Sequence, residues 1–133
     1  MKPVFTVAPV RSRIDSPIHI IAAGLVPGER VTIRTKVMDG ALREWESLAV
    51  VHADDAGAVD LSRMAPLEGS TYRGVDGEGL LWSMQGPDQS KFITRNLPVE
   101  LEYHSELCRG DSVIASTRFR RHFGDGVTWG QVH

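Results

Sequence analysis

The sequence has few of the features that mark membrane, disulfide-rich or nucleic-acid-binding proteins. Only one of its 133 residues is a cysteine, Cys108, which excludes an internal disulfide and a thiolate metal site. No apolar run approaches the length of a membrane-spanning helix, and the N-terminus has no long apolar segment typical of a signal peptide. The chain has fifteen basic and seventeen acidic residues, so a domain-wide surface for nucleic acid or acidic membranes is not expected. These absences predict a cytoplasmic protein.

Length and composition predict a single globular domain. Hydrophobic residues make up 41% of the chain and charged residues 24%, which is enough to build a core without metals or disulfides. Thirteen glycines and seven prolines punctuate the sequence. Such frequent punctuation favours many short strands over long helices.

Alternation of apolar and polar residues predicts seven or eight strands. The clearest lie at 31–37, 99–103 and 113–119, each with one apolar and one polar face. Asp39-Gly40 and Arg109-Gly110-Asp111 supply hairpin turns. Shorter apolar runs predict further strands at 5–7, 14–23 and 58–61. We therefore expect an all-β fold, an antiparallel β-sandwich of the immunoglobulin-like type.

Three segments need separate interpretation. Residues 41–53 contain good helix formers, but their alternation and the preceding hairpin turn favour a strand. Residues 62–79 form a loop rich in glycine and serine, too long to be a simple connection. The compact apolar run 80–84 follows a glycine and precedes another, which predicts a buried strand.

The residues do not indicate a catalytic site. No serine has glycines two residues to either side, so a Gly-x-Ser-x-Gly nucleophile elbow is absent. Ser70 has one flanking glycine and is typical of a turn. The neighbour Arg109 would lower the pKa of the Cys108 thiol, but no base is specifically placed beside it, and an inert cysteine is the plainer interpretation.

The sequence also contains no strong signal for a ligand-binding site. The histidines form no pair at metal-ligand spacing, and the aspartates of 54–60 lack the pattern of a calcium loop. No helix is predicted after the glycines of 74–79, so a phosphate cradle is not indicated, and no cofactor or metal is expected. One basic cluster could meet the phosphates of a nucleotide-like ligand, although a solvated edge strand explains it better. It comprises Arg118, Arg120, Arg121 and His122, with Arg109 nearby.

Several segments are long, ordered and unusual in composition. Residues 24–32 read Gly-Leu-Val-Pro-Gly-Glu-Arg-Val-Thr, and residues 57–63 read Gly-Ala-Val-Asp-Leu-Ser-Arg. Residues 66–76 read Pro-Leu-Glu-Gly-Ser-Thr-Tyr-Arg-Gly-Val-Asp, and residues 79–84 read Gly-Leu-Leu-Trp-Ser-Met. Residues 4–123 thereby resemble the opening of the acyl-CoA thioesterase/bile acid-CoA:amino acid N-acyltransferase family.

The resemblance implies a β-sandwich N-terminal domain at 1–123, with 124–133 a linker or tail towards an α/β-hydrolase domain absent from this chain. Family members cleave fatty acyl-CoA or bile acyl-CoA thioesters, or pass the acyl group to glycine or taurine. Their nucleophile, Asp and His lie in the hydrolase domain, so the resemblance assigns no catalytic residue here. The resemblance therefore implies that acyl-CoA binds only to that missing domain.

The long loop and the apolar run after it are then a candidate interdomain surface. The residues expected to pack on the hydrolase domain are Tyr72, Arg73, Leu80, Leu81, Trp82 and Met84. Alternatively, Trp82 fills the sandwich core. A different interpretation of the whole chain is a stand-alone module that binds a protein or polysaccharide through exposed aromatics such as Trp45 or Trp129. A third is an independent enzyme that uses Cys108.

Overall fold

The computed structural model describes residues 3–13, 17–38, 43–86 and 100–122, and it is built almost entirely of β-strands. The predicted turn at Asp39-Gly40, the tail 124–133 and Trp129 lie outside these residues. The described elements are β1 (Val4–Ala8), β2 (Arg11–Arg13), β3 (His19–Ala23), β4 (Arg30–Met38), β5 (Glu44–His52), β6 (Val59–Asp60), α1 (Gly79–Trp82), β7 (Glu100–Arg109) and β8 (Ser112–His122). The all-β prediction is confirmed, and the strand interpretation of residues 41–53 is confirmed for its described part, where β5 lies.

The strands form two sheets that enclose one hydrophobic core. The smaller sheet has the order β1-β3-β6 and the larger has the order β2-β8-β7-β4-β5. The described pairs are antiparallel except for the three-residue strand β2, which runs parallel to β8. The chain passes from the small sheet to the large one between β1 and β2, where the Arg120 N–H donates to the Val10 carbonyl at 2.8 Å.

Alternation along the strands decides which side chains enter the core. In β4 every second residue is buried, from Val31 to Val37, while the residues between them are partly exposed. Each large apolar side chain taken out of water in this way contributes about 1.5–3 kcal/mol. Those with almost no exposed surface include Ile18, Ile20, Ile33, Leu61, Leu80, Leu107 and Phe119.

A row of hydroxyl side chains crosses the inner face of the large sheet. Thr35 pairs in register with Ser47 on β5 and Ser105 on β7, and Ser105 pairs with Thr117 on β8. The first three are fully buried. The Thr35 and Ser105 hydroxyl oxygens lie 2.7 Å apart, and the Ser47 hydroxyl donates to the Leu80 carbonyl at 2.6 Å. The buried hydroxyls are thus satisfied, and one of them ties α1 to the sheet.

The long loop covers the outer edge of β5. An edge strand exposes unpaired main-chain groups that invite pairing with another chain. Here residues 67–71 and Gln85 supply partners for successive main-chain groups of β5. The bonds run from Leu67 N to Val50 O (2.7 Å), Val50 N to Ser70 Oγ (2.8 Å), Thr71 N to Leu48 O (2.9 Å), Leu48 N to Thr71 Oγ1 (3.1 Å), Gln85 N to Glu46 O (2.8 Å) and Glu46 N to Gln85 O (3.1 Å).

The prediction of a buried strand at 80–84 is wrong. Residues 79–82 form the one-turn helix α1, because the β5 edge is already paired and the Asp76 carboxylate accepts the Glu78 N–H at 2.9 Å. A strand would have placed residues 80 and 82 on the same face. A helical turn distributes them around its axis instead, so Leu80 is buried in the core and Trp82 is 63% exposed.

Candidate functional site

Helix α1 is fastened to the sandwich on two sides. On one side, Ser47 donates to the carbonyl of Leu80. On the other, the hydroxyl of the buried Ser83 lies 2.7 Å from that of Thr71, which is itself bonded to the β5 edge. The Leu80 side chain is part of the core. These contacts hold a very short helix in one place, and that helix carries Trp82.

Trp82 presents its ring to solvent in a fixed orientation. The indole N–H donates to Asp76 Oδ2 at 2.7 Å. The ring also meets Tyr72 edge to face, with centroids 6.3 Å apart and planes at 66°. The interpretation of Trp82 as a core residue is therefore wrong. A large aromatic surface that is both exposed and already ordered loses little entropy when it binds.

A cleft of about 290 Å³ lies between α1 and strands β7 and β8. Leu81 and Trp82 form its apolar wall, and its polar lining comes from Glu78, Tyr103 and Arg121. Tyr103 stacks on Phe119 with ring centroids 4.9 Å apart. Burial raises the pKa of Tyr103, which keeps its hydroxyl protonated as a hydrogen-bond donor.

Arg121 is the buried charge of this cleft, with only 2% of its surface exposed. Its Nη2 donates to the Arg13 carbonyl of β2 at 3.2 Å, and its Nη1 lies 3.8 Å from Glu78 Oε1. Arg121 thereby links the edge of the large sheet to the segment before α1. The carboxylate of Glu78 offsets its charge, as a buried cation requires.

A second cleft of about 370 Å³ is lined by residues 66–70, Tyr72 and Arg73. The Tyr72 hydroxyl is buried and has no hydrogen-bond partner among the described residues. Burial, followed by the charge of Asp76, raises the pKa of Tyr72 to about 12. The cleft therefore contains a neutral phenol held in a desolvated position.

The six residues predicted to contact a second domain occupy three environments. Leu80 and Tyr72 are buried inside the sandwich and can support the surface only from behind. Arg73 and Trp82 are exposed, whereas Leu81 and Met84 are half-buried against the core. Whether any of them touches another domain stays a prediction.

Sequence reasoning missed Glu78 and Tyr103 as residues of the cleft at α1, and it named Arg121 only as a member of the basic cluster. A signal for Arg121 was available, because it has the same parity in β8 as the buried Phe119. Its inward position follows from that alternation. No comparable signal links Glu78 to β7 and β8, because only the folded chain brings α1 beside those strands.

The predicted basic cluster is divided by the fold. Arg121 lies on the inner face of the sheet, while Arg118 and Arg120 project from the outer face and both approach Glu102, at 3.5 and 3.2 Å. Arg109 donates two hydrogen bonds to Glu29, at 2.6 and 2.7 Å. Those bonds, with the Val26 N–H, lower the pKa of Glu29 to about 2. The cluster is not a single anion site.

Cys108 is not an activated thiol. It lies within β7 rather than in a turn, and it is buried. Burial raises the pKa of its thiol, so the predicted lowering by Arg109 is wrong. The guanidinium of Arg109 is directed at Glu29 instead.

Neither a metal cluster nor a membrane helix occurs in the part of the chain that the structure describes. Within it, no three histidine, cysteine, aspartate or glutamate side chains come together in a way that would hold a metal ion. Its helical segment is also too short to cross a bilayer.

Comparisons with known proteins agree on one family. Residues 15–133 match the family model described as acyl-CoA thioester hydrolase/BAAT N-terminal region. The chain is 36% identical to human bile acid-CoA:amino acid N-acyltransferase over 92 residues, which are 69% of this chain and 21% of the relative. It is 31% identical to mouse acyl-coenzyme A thioesterase 3 over 109 residues, 80% of this chain and 25% of the relative.

A third relative, mouse peroxisomal succinyl-coenzyme A thioesterase, is 32% identical over 120 residues, or 85% of this chain and 28% of the relative. The chain thus spans between a fifth and a third of the length of these curated relatives. The matched region begins after β2 and includes every described element from β3 to β8. The chain therefore belongs to the acyl-CoA thioester hydrolase/bile acid-CoA:amino acid N-acyltransferase family and corresponds to its N-terminal region.

Proposed function

We propose that this chain is the non-catalytic N-terminal domain of an acyl-CoA thioester hydrolase or an acyl-CoA:amino acid N-acyltransferase, and that it packs on and supports an α/β-hydrolase domain. The observation that carries the proposal is the match of residues 15–133 to the N-terminal region of the family, with most of each relative lying outside the matched part. On this proposal, acyl-CoA binds to the hydrolase domain. Hydrolysis is favoured over transfer because transfer needs an additional site for the amino acid acceptor.

The chemistry of the described residues supports a non-catalytic role. The buried hydroxyls of Thr35, Ser47 and Ser105 are engaged in hydrogen bonds inside the sandwich. The thiol of Cys108 is buried, and its raised pKa keeps it protonated at neutral pH. A nucleophile must be accessible and activated by a base or by a lowered pKa, and these groups are neither.

The surface around α1 is the part of the domain best suited to hold the second domain. Arg73, Leu81, Trp82 and Met84 provide contact area, and the buried Leu80 and Tyr72 fix its shape from behind. Preorganised aromatic surface of this kind is typical of interface anchors. The cytoplasmic location stays a prediction from the sequence.

One observation supports the alternative that the chain is a stand-alone binding module. An aromatic side chain is exposed, but it is Trp82 rather than Trp45, which is only 8% exposed and belongs to the core. On this alternative the cleft beside Trp82 would receive a separate partner.

Two measurements test the proposal together. The first is the intact mass of the natural protein from its own cells, which we expect to exceed that of this chain by about 200–300 residues, enough for a hydrolase domain. The second is release of free CoA from a fatty acyl-CoA by that protein and by its Cys108→Ser variant, which we expect to be equally active. A natural mass equal to that of 133 residues would favour the binding module, and loss of activity in Cys108→Ser would favour the thiol enzyme.

A further inference from the structure

The cleft at α1 combines an apolar wall with a charge-balanced floor. Its wall is the exposed ring of Trp82 and the half-buried side chain of Leu81. At its floor, the Arg121 guanidinium and the Glu78 carboxylate lie 3.8 Å apart and offset each other. Since Arg121 is 2% exposed and already paired, the exposed surface that an occupant can cover here is chiefly the apolar ring of Trp82. The cleft is therefore suited to an uncharged, apolar side chain.

The walls of the cleft are already in place before anything binds. The hydroxyls of Ser47 and Thr71 hold α1 from two sides, and Asp76 holds the indole of Trp82. Little side-chain freedom remains to be lost at these positions when a partner docks. Interfaces gain affinity chiefly by avoiding such ordering costs, and aromatic anchors in well-packed pockets dominate their energetics.

The cleft also lies beside the C-terminal end of β8, the last strand that the structure describes. Strand β8 ends at His122, one residue after Arg121, which lines the cleft. Because the family match assigns this chain to an N-terminal region, the larger part of a family protein follows β8. A domain tethered this close is present at high effective concentration beside the cleft, so even a modest contact suffices to hold it.

We infer that the cleft formed by Glu78, Leu81, Trp82, Tyr103 and Arg121 receives an apolar side chain from the α/β-hydrolase domain of the same polypeptide, with Trp82 as the anchor. The inference rests on the proposed function and specifies its contact surface. Tyr103 and Arg121, on β7 and β8, make the docking surface continuous from α1 onto the sheet.

Oxidative footprinting of the full-length natural protein tests this directly and needs no variant that must fold. Oxidation rates of Trp82 and His52 are measured by mass spectrometry and normalised to the same residues in the urea-unfolded protein. His52 is an exposed reference that pairs with Arg30, at the start of β4. The cleft lies towards the opposite end of that strand, about 20 Å away.

We expect docking to reduce the exposed fraction of Trp82 from 63% to below about a tenth, and thus to slow its oxidation by about sixfold, while His52 keeps the rate of an exposed side chain. Fast oxidation of Trp82, with protection of another face of the sandwich, would overturn the cleft as the docking site and leave the proposed function intact. Fast oxidation over the whole sandwich surface would overturn both.

Discussion

Trp45 and Trp82 lie in neighbouring parts of the molecule but in opposite environments. Trp45, on β5, is 8% exposed and belongs to the core, and a Cβ added at Gly86 would lie only 2.4 Å from its ring. Trp82, on α1, is 63% exposed and is held by one hydrogen bond and one ring contact. Trp45 lies between Glu44 and Glu46 in the sequence, whereas Trp82 follows Leu80 and Leu81, so neither residue type nor the polarity of the sequence neighbours decided their burial.

The difference shows which local rule controls each position. Trp45 lies in a nine-residue strand, where strict alternation assigns every second side chain to the core. Trp82 lies in a single helical turn, where no period is long enough to define a buried face. Its exposure depends instead on where the contacts of Ser47 and Thr71 place that turn.

The largest expected effect is that of Trp45→Ala. Removing a buried tryptophan loses its transfer free energy and leaves a cavity, so the free energy of unfolding should fall by about 3–5 kcal/mol. Urea unfolding measures this, with Val113→Ala as the control, because Val113 is 52% exposed. A similar loss in the two variants would contradict the placement of Trp45 in the core.

The next effect is expected for Gly79→Ala, which acts on the support of Trp82. A Cβ at residue 79 would lie 2.3 Å from the Tyr72 ring. We expect this overpacking to cost about 1–3 kcal/mol and to displace the ring against which Trp82 rests. Near-ultraviolet circular dichroism should therefore change.

Gly110→Ala is the matched control for that change. Gly110 has a φ of 58°, and the described atoms leave open space around an added Cβ. The control therefore carries only the cost of a left-handed backbone. An unchanged near-ultraviolet spectrum in Gly79→Ala would show that Tyr72 does not fix the position of Trp82.

Trp82→Ala should have a smaller effect on the sandwich itself. It removes an exposed hydrogen bond to Asp76 and an edge-to-face contact with Tyr72, together worth about 1 kcal/mol. Urea unfolding of the 133-residue chain measures the loss beside that of Trp45→Ala. A loss as large as that for Trp45 would mean that the ring of Trp82 is packed and not presented to a partner.

The smallest expected effect at neutral pH is that of Tyr72→Phe. Since the structure gives the buried hydroxyl no partner within its described ranges, removing it should be neutral or stabilising by up to about 1 kcal/mol. Urea unfolding at pH 8 tests this. A clear destabilisation would show that the hydroxyl is engaged in the folded chain.

The pH dependence of the same pair of proteins provides a second test. The folded-state pKa of Tyr72 is raised from 10.0 to about 12, so the phenol is neutral in both states below pH 10. Above pH 10 the unfolded chain releases this proton more readily than the folded chain, which lowers the free energy of unfolding as pH rises towards 12. Stability should therefore fall more steeply between pH 10 and 12 in the wild type than in Tyr72→Phe. Equal slopes in the two proteins would contradict the desolvation of this phenol.

The strands and the family could be predicted because their signals are local. Alternation over 31–37 and 113–119 matches β4 and β8, and a glycine with φ of 58° forms the predicted turn between β7 and β8. The unusual segments between 24 and 84 were sufficient to indicate the family.

The candidate site itself could be predicted only in part. The apolar run at 80–84 suggested a strand. Its composition does not indicate that residues 67–71 and Gln85 already pair with the edge of β5. The neighbour of Cys108 in sequence suggested a lowered pKa, yet burial dominates and Arg109 faces Glu29. In each case a contact distant in sequence outweighed the local signal.

The sequence by itself determined the two-sided strands, their turns and the family, because a period of two residues and a glycine at a positive φ act within a few residues. Only the tertiary structure decided that Trp82 faces outward. It also decided that Arg121 forms an ion pair with Glu78, which lies 43 residues earlier in the chain. Those outcomes depend on which main-chain groups of β5 are already bonded and on which charges share a desolvated space. Such conditions are created when the two sheets and the covering loop come together.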